Sequence, residues 1–167
     1  MHSMFVHFAD VELDDVAEYF ETHGERGLSA HWYHPTRADP AFTIRFPHEG
    51  AEFRDEAERA RVVAALGGEP TSTVMFDVGG KRPGHKELRQ YLTKLLAIHP
   101  GVAVDDLSTH VWTLDDLKAD RHVGGFAFAD HEGYRKAHVV HHQQGPRGGH
   151  GHGTEHGTEH GTGTGTR

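Results

Sequence analysis

A leucine-rich segment near the middle of the chain carries the most regular hydrophobic pattern in this sequence. Its apolar side chains are spaced three or four residues apart and would form one stripe along an α-helix over residues 84–98, namely Leu88, Tyr91, Leu92, Leu95 and Leu96. Pro83 is tolerated in the first turn of such a helix, and His99-Pro100-Gly101 would end it. A helix with one apolar stripe must bury it against a second layer, so this segment predicts a packed domain.

The segment before this helix predicts a strand at the centre of a sheet. In residues 72–78, Val74 and Phe76 would point to one face and Met75 to the other, which is typical of a strand that is buried on both sides. A glycine-containing loop, residues 79–84, joins this strand to the helix, and residues 109–113 form a later β-like segment.

The other elements complete an α+β pattern. Strands are predicted over residues 4–8, 28–33 and 41–46, the last two as a hairpin, and helices over residues 11–23 and 51–66. Through residue 78 the order is β-α-β-β-α-β, the order of a ferredoxin-like fold. We therefore expect a two-layer sandwich with a ferredoxin-like core, extended by the helix over 84–98 and by the terminal β segment.

The chain divides into three parts by composition. Residues 1–120 are predicted to form the α+β domain and residues 121–142 a C-terminal extension. From residue 143 onward the only residues are Gly, His, Thr, Glu, Pro, Arg and Gln, and Gly-Thr-Glu-His occurs twice. Such a composition cannot bury a core, so residues 143–167 are predicted to be a disordered tail.

Composition also bounds the compartment. The 167 residues include no cysteine, which excludes disulfides and thiolate metal sites and fits a reducing compartment. The N-terminus lacks the pattern of a signal peptide, and no apolar run approaches the roughly 20 residues that a membrane-spanning helix needs. We expect a cytoplasmic protein without membrane association.

Negative charge is concentrated in the first 128 residues. They contain 21 Asp and Glu against 13 Lys and Arg, whereas the remaining residues are balanced. Nucleic-acid binding needs basic residues, so the charge argues against it and favours either a basic protein partner or simple solubility. The leading hypothesis is a non-enzymatic binding protein of the immunity or toxin-antagonist type, which would contact its partner through acidic helix faces at Asp14, Asp15, Glu18, Asp55, Glu56 and Glu58.

Histidines are concentrated at the other end of the chain. Eight of the 18 histidines lie at or after position 131. Imidazole binds late first-row metals, so the alternative hypothesis is a protein that needs no cofactor for folding but buffers nickel, zinc or cobalt. Its ligands would be His138, His141 and His142 on one helix face and His150, His152, His156 and His160 in the tail. A low-complexity tail without a metal role explains the repeats somewhat better than a metal role does.

Two further clusters contain residues of the kind found in binding or catalytic sites. Lys81 and Arg82, in the loop before the helix, could bind an anion, but the loop lacks the spacing of a phosphate-binding motif and is better explained as a turn. Asp105, Asp106 and His110 could form the acid–base site of a small enzyme at one end of the sheet, but a turn at Asp105-Asp106 followed by an ordinary strand residue at His110 is the better explanation.

Two segments of the sequence resemble those of a known protein group. They are Phe76-Asp-Val-Gly-Gly-Lys-Arg-Pro-Gly84 and the segment from Gly101 to Leu117, which contains Asp-Asp-Leu-Ser-Thr-His-Val-Trp-Thr-Leu. They resemble a group of small uncharacterised actinobacterial proteins with a D-V-S-G-R-x-P-G loop and a D-D-x-x-x-H-x-W-T-L segment. Gly79 stands here where the group has serine. The resemblance covers residues 4–120 and assigns no catalytic residue; an immunity-like role is implied only by analogy of fold and charge.

Overall fold

The computed structural model describes residues 1–79 and 83–142 of the chain. Within these residues seven strands form a single sheet, and five helices pack around it. The strands are β1 (His2–Phe8), β2 (Glu25–Arg26), β3 (His31–His34), β4 (Phe42–Arg45), β5 (Ser72–Val78), β6 (Gly101–Val104) and β7 (Val111–Trp112). The helices are α1 (Leu13–His23), α2 (Glu56–Leu66), α3 (His85–Ile98), α4 (Leu114–Lys118) and α5 (His131–His142).

The sheet is antiparallel throughout, with the order β2-β3-β4-β5-β1-β6-β7. Every residue of β5 is buried, and β5 pairs along its whole length with β1, with Val6 opposite Val74. The prediction of a central, doubly buried strand over residues 72–78 is therefore confirmed. The α+β class is confirmed as well, since helices and an antiparallel sheet share one core.

The ferredoxin-like order is not observed. A split β-α-β unit has a third strand between the two strands that the helix connects. Here α2 connects β4 to β5, and these two strands are direct neighbours. The pattern of apolar residues shows which face of a strand is buried, but it does not choose the neighbouring strand, so the same element order allowed both arrangements.

Helices lie on both faces of the sheet. The larger core lies between the sheet and the helices α1 and α3, where Phe20 and Leu92 are fully buried. On the opposite face, Val62 of α2 packs against Val102 and Val104 of β6. The predicted two-layer sandwich thus describes one face well, and α2 adds a partial third layer.

Part of the predicted C-terminal extension belongs to the main core. Phe128 is 1% exposed, and its ring lies edge-on to Trp112 with 5.6 Å between the ring centroids. Ala127 and Ala129 on either side are buried too. This anchoring fixes the position at which α5 begins. Among the described helices, none is long and apolar enough to cross a lipid bilayer.

Candidate metal centre

Three distant parts of the chain meet beside the end of β6. Strand β1 runs antiparallel to β6 with Phe5 opposite Val104, so the first residues of β1 lie next to the loop that follows β6. This register brings His2 beside Asp106. The first residue of α5, His131, reaches the other oxygen of the same carboxylate, because residues 127–129 are anchored in the core.

Both imidazole rings contact the single carboxylate of Asp106. His2 Nδ1 lies 3.2 Å from Asp106 Oδ2, and His131 Nε2 makes a direct, short hydrogen bond to Asp106 Oδ1. The two rings are stacked, with 3.7 Å between their centroids and 19° between their planes. One ligand atom from each residue lies within 4.8 Å of the other two. The three side chains therefore form a compact group with two nitrogen donors and one oxygen donor.

The ring of His131 is oriented by the backbone. Its Nδ1 lies 2.9 Å from the carbonyl oxygen of Ala129, which can only accept, so Nδ1 donates and Nε2 is the nitrogen that faces Asp106. The backbone N–H of Ala129 in turn donates to Asp105 Oδ2 at 3.1 Å. Histidine ligands of metal ions are commonly held in this way, with the second ring nitrogen bonded to a carbonyl or carboxylate.

Asp105 and Asp106 thus have different roles. Asp105 is 2% exposed, and its second carboxylate oxygen accepts hydrogen bonds from the backbone N–H and the hydroxyl of Ser108, both at 3.2 Å. It fixes the loop and the Ala129 backbone and is not available to a ligand. Asp106 is the half-exposed carboxylate that points to the histidines.

The electrostatic environment keeps Asp106 in its anionic form. Partial burial raises the pKa of Asp106, but the hydrogen bond and charge of His131, followed by those of His2, outweigh burial and bring this pKa below its ordinary value. An ionised carboxylate beside two imidazoles is the form in which these groups coordinate a metal ion.

The spacing is compatible with a first-row transition metal. Zinc binds imidazole nitrogen and carboxylate oxygen at about 2.0–2.2 Å, so neighbouring ligand atoms of a tetrahedral site lie about 3.3 Å apart. The 3.2 Å between His2 Nδ1 and Asp106 Oδ2 matches this spacing. A metal ion would replace the proton between His131 and Asp106, after a small separation of these two groups. Calcium and magnesium prefer sites built from oxygen atoms alone, so this donor set disfavours them.

The group of His2, Asp106 and His131 opens onto a cleft of about 740 Å³. The side chains of His2 and Asp106 are 49% and 37% exposed, whereas His131 is 9% exposed. The described lining has three other parts: Val78, Gly79 and Pro83; Leu107 in the loop after β6; and the first turn of α5 with Glu132, Tyr134 and Arg135. One side of the group is therefore accessible to a small molecule.

The predicted acidic surface is divided by the fold. Asp14, Asp15 and Glu18 are exposed on α1, whereas α2 lies on the opposite face of the sheet. The six carboxylates therefore do not form one surface. Their division could not be recognised without knowing which face each helix covers.

The α2 carboxylates also differ in their exposure. Glu58 is 1% exposed and accepts a hydrogen bond from Arg54 Nε at 2.6 Å, so it is not part of an exposed face. Asp55 caps α2 by accepting from the backbone N–H of Glu58 at 2.7 Å. Glu56 is exposed and pairs with Arg59 at 3.0 Å.

The predicted grouping of Asp105, Asp106 and His110 does not form. The side chain of His110 instead contacts Asp116, with His110 Nε2 2.9 Å from Asp116 Oδ2. Burial raises the pKa of Asp116, but hydrogen bonds from the Thr113 backbone, His110 and Arg121 lower it to about 2. With Thr113, Asp116 forms a capping box at the start of α4, which is a structural role.

The histidines proposed as tail ligands fall mostly beyond the described part of the chain. His138 lies on α5 with its Nδ1 2.8 Å from the Tyr134 carbonyl oxygen, so that nitrogen is engaged by the helix backbone. His141 and His142 are the last two residues of α5. Outside the described residues lie His150, His152, His156 and His160, as do Lys81 and Arg82.

Sequence reasoning identified Asp106 but neither of its partners. His2 and His131 are 104 and 25 residues away from Asp106 along the chain, and no local spacing connects them. The available signal was indirect. Had the pairing of β1 with β6 been known, the antiparallel register would have placed the start of β1 beside residues 106 and 107.

Comparison with known proteins adds no assignment to this geometry. No family model matches the sequence. The searches of curated proteins and of solved structures likewise returned no significant match.

Proposed function

We propose that this protein binds a divalent transition metal ion through His2, Asp106 and His131. The observation that carries the proposal is the convergence of two imidazoles on one carboxylate, with His131 held in the ligand orientation by the Ala129 carbonyl. Two nitrogen donors with one carboxylate oxygen suit Zn²⁺, Ni²⁺, Co²⁺ and Fe²⁺. The proposal keeps the metal class that the histidine content suggested and moves the principal site from the tail to the folded domain.

The accessible side of the site favours a metal with a functional open position. Structural zinc sites are usually closed by four protein ligands, whereas catalytic and transport sites keep at least one position for water or another ligand. Only three protein ligands converge here among the described residues, and the cleft lies beside them. We infer that the metal ion is held with one or more exchangeable positions.

Metal titration of the full-length protein tests the proposal. The tail histidines would contribute weaker binding, so the titrations use a background in which His150, His152, His156 and His160 are replaced by glutamine. In this background we expect one Zn²⁺ or Co²⁺ per chain by isothermal titration calorimetry, and no competition by Mg²⁺. Visible absorption of the Co²⁺ form reports the coordination geometry independently.

Variants of the ligands identify the site. We expect His131→Gln and Asp106→Asn each to weaken binding by at least about tenfold, since each removes one of three ligands. Ser108→Ala removes only a hydrogen bond to Asp105, which holds the Ala129 backbone, so its effect should be smaller. His122→Gln is the matched control, because His122 is exposed and lies outside the group. The proposal is refuted if His131→Gln with Asp106→Asn leaves stoichiometry and affinity unchanged in a folded protein.

A second candidate function is the binding of a basic protein, as in immunity proteins. It rests on the exposed carboxylates of α1, Asp14, Asp15 and Glu18, together with the net charge of −8. If a basic partner is recovered, charge reversal at Asp14 and Asp15 should abolish its binding. Glu56→Lys, on α2, is the control, and we expect it to bind the partner as the wild type does. If the Asp14 and Asp15 charge-reversal variant also binds the partner unchanged, the α1 surface is not the contact.

A further inference from the structure

We infer that the open side of the metal centre binds a small organic carboxylate, which contacts the metal ion with one oxygen and Arg135 with the other. This inference rests on the proposed metal function and specifies the class of its ligand. It is drawn from the position of the cleft, the charges at its edge and the apolar part of its wall.

The charge at the cleft favours an anion only when the metal is bound. Among the described lining residues, the carboxylates of Asp106 and Glu132 stand against the one guanidinium of Arg135, so the metal-free cleft has no excess of positive side-chain charge to attract a negative ligand. A divalent ion bound by one carboxylate and two neutral imidazoles leaves a local charge of about +1. A coordinated metal ion would thereby convert the cleft into an anion site.

Arg135 supplies a second cationic contact. It lines the same cleft, one turn along α5 from His131. Its acidic neighbour Glu132 accepts from Lys136 Nζ at 2.5 Å, and the charge of Arg135 contributes less than Lys136 to lowering the pKa of Glu132. Guanidinium groups bind carboxylates through two parallel hydrogen bonds, whereas an exposed lysine provides only a point charge.

The rest of the wall suits a short apolar body. Met1, Val78, Pro83, Leu107 and Tyr134 line the cleft beside the charged groups. A volume of about 740 Å³ is in the range of small-molecule sites, which typically combine an apolar wall with a few polar anchors. Inorganic phosphate would satisfy the charges but leave this apolar wall without a contact.

The test uses the full-length protein loaded with Co²⁺, so that metal binding is established before any ligand is added. Isobutyrate and benzoate are then titrated while the Co²⁺ absorption bands are recorded. We expect saturable spectral changes with both acids and at least about tenfold weaker binding of inorganic phosphate, since phosphate gains nothing from the apolar wall. Without metal, calorimetry should detect no binding of either acid.

The variant Arg135→Gln separates this inference from the metal proposal. We expect it to retain Co²⁺ affinity and to bind benzoate at least about tenfold more weakly, with Arg135→Lys between the two. Lys94→Gln, on the exposed side of α3, is the matched control. Phosphate binding as tight as benzoate, or benzoate binding that is unchanged in Arg135→Gln, overturns the carboxylate site while leaving the metal site intact. Failure to bind Co²⁺ at all overturns both.

Discussion

A buried histidine beneath α2 should make the stability of this protein depend on pH. His7 is fully buried: its Nδ1 lies 2.9 Å from Thr73 Oγ1, and its ring stacks on Phe53 with 4.7 Å between the centroids. Its Nε2 has no hydrogen-bond partner among the described residues. Burial lowers the pKa of His7 to about 4, although the negative charges of Glu58 and Glu52 act in the opposite direction.

The sign and size of the effect follow from this shift. In the unfolded chain His7 takes up a proton near its ordinary pKa of 6.5, whereas in the folded protein it does so only near pH 4. The stabilisation is fully present above pH 6.5 and is lost as the pH falls towards 4, because the unfolded state then binds more protons. At roughly 1.4 kcal/mol per pH unit, lowering the pH from about 7 to about 5 should cost about 2 kcal/mol of unfolding free energy.

Urea denaturation of the wild type and of His7→Phe measures this contribution. Phenylalanine keeps the stacking on Phe53 but cannot be protonated, so the variant should lose about 2 kcal/mol less than the wild type between about pH 7 and about pH 5. Both pH values are measured in the presence of a chelator. His48→Gln, which replaces an exposed loop histidine, should retain the wild-type dependence.

The difference in acid sensitivity between wild type and His7→Phe isolates the contribution of His7. The other histidines and carboxylates are common to both proteins, so their contributions cancel in the difference between wild type and variant. If wild type and His7→Phe lose the same free energy on acidification, His7 is not the group that resists protonation. An equal loss would also mean that the space beneath α2 admits water.

Two buried carboxylates give further predictions. Arg54→Ala should destabilise the protein by about 2 kcal/mol, because it leaves the buried Glu58 without its ion pair. Arg59→Ala breaks only exposed ion pairs, so it should change the free energy of unfolding little. Chemical denaturation of both variants measures the difference. Asp116→Ala should lower the free energy of unfolding by about 2 kcal/mol, because it removes the capping box and the hydrogen bond to His110. Asp115→Ala, at the exposed neighbouring residue, should leave the stability nearly unchanged. Equal melting temperatures of these two variants would contradict the structural role of Asp116.

The helix over residues 85–98 shows how much local pattern can achieve. Its five predicted core residues are all buried, and its ends fall within one residue of the prediction. A stripe at helical spacing is sufficient information, since the helix period is the same wherever the helix packs. The same holds for β5, whose apolar residues on both faces correctly indicated a central strand.

The group of His2, Asp106 and His131 shows where local pattern fails. Asp106 was recognisable because a polar pair follows a strand. His2, however, lay outside the strand predicted over residues 4–8, and His131 was only one of eight histidines at the C-terminal end of the chain. Likewise, Glu58 was read as exposed because its neighbours are charged, whereas Arg54 allows it to be buried. In each case the burial or contact of the residue depends on a partner side chain that the local hydrophobic pattern does not reveal.

The sequence by itself determined the α+β class, the central strand and the amphipathic helices, because these depend on the spacing of apolar residues within one segment. Only the tertiary structure decided that β5 lies between β4 and β1, that α1 and α2 cover opposite faces, and that His2 and His131 meet at Asp106. Strand order and register are fixed by the combined burial of all elements, so residues far apart in the chain come together only once the whole core has formed.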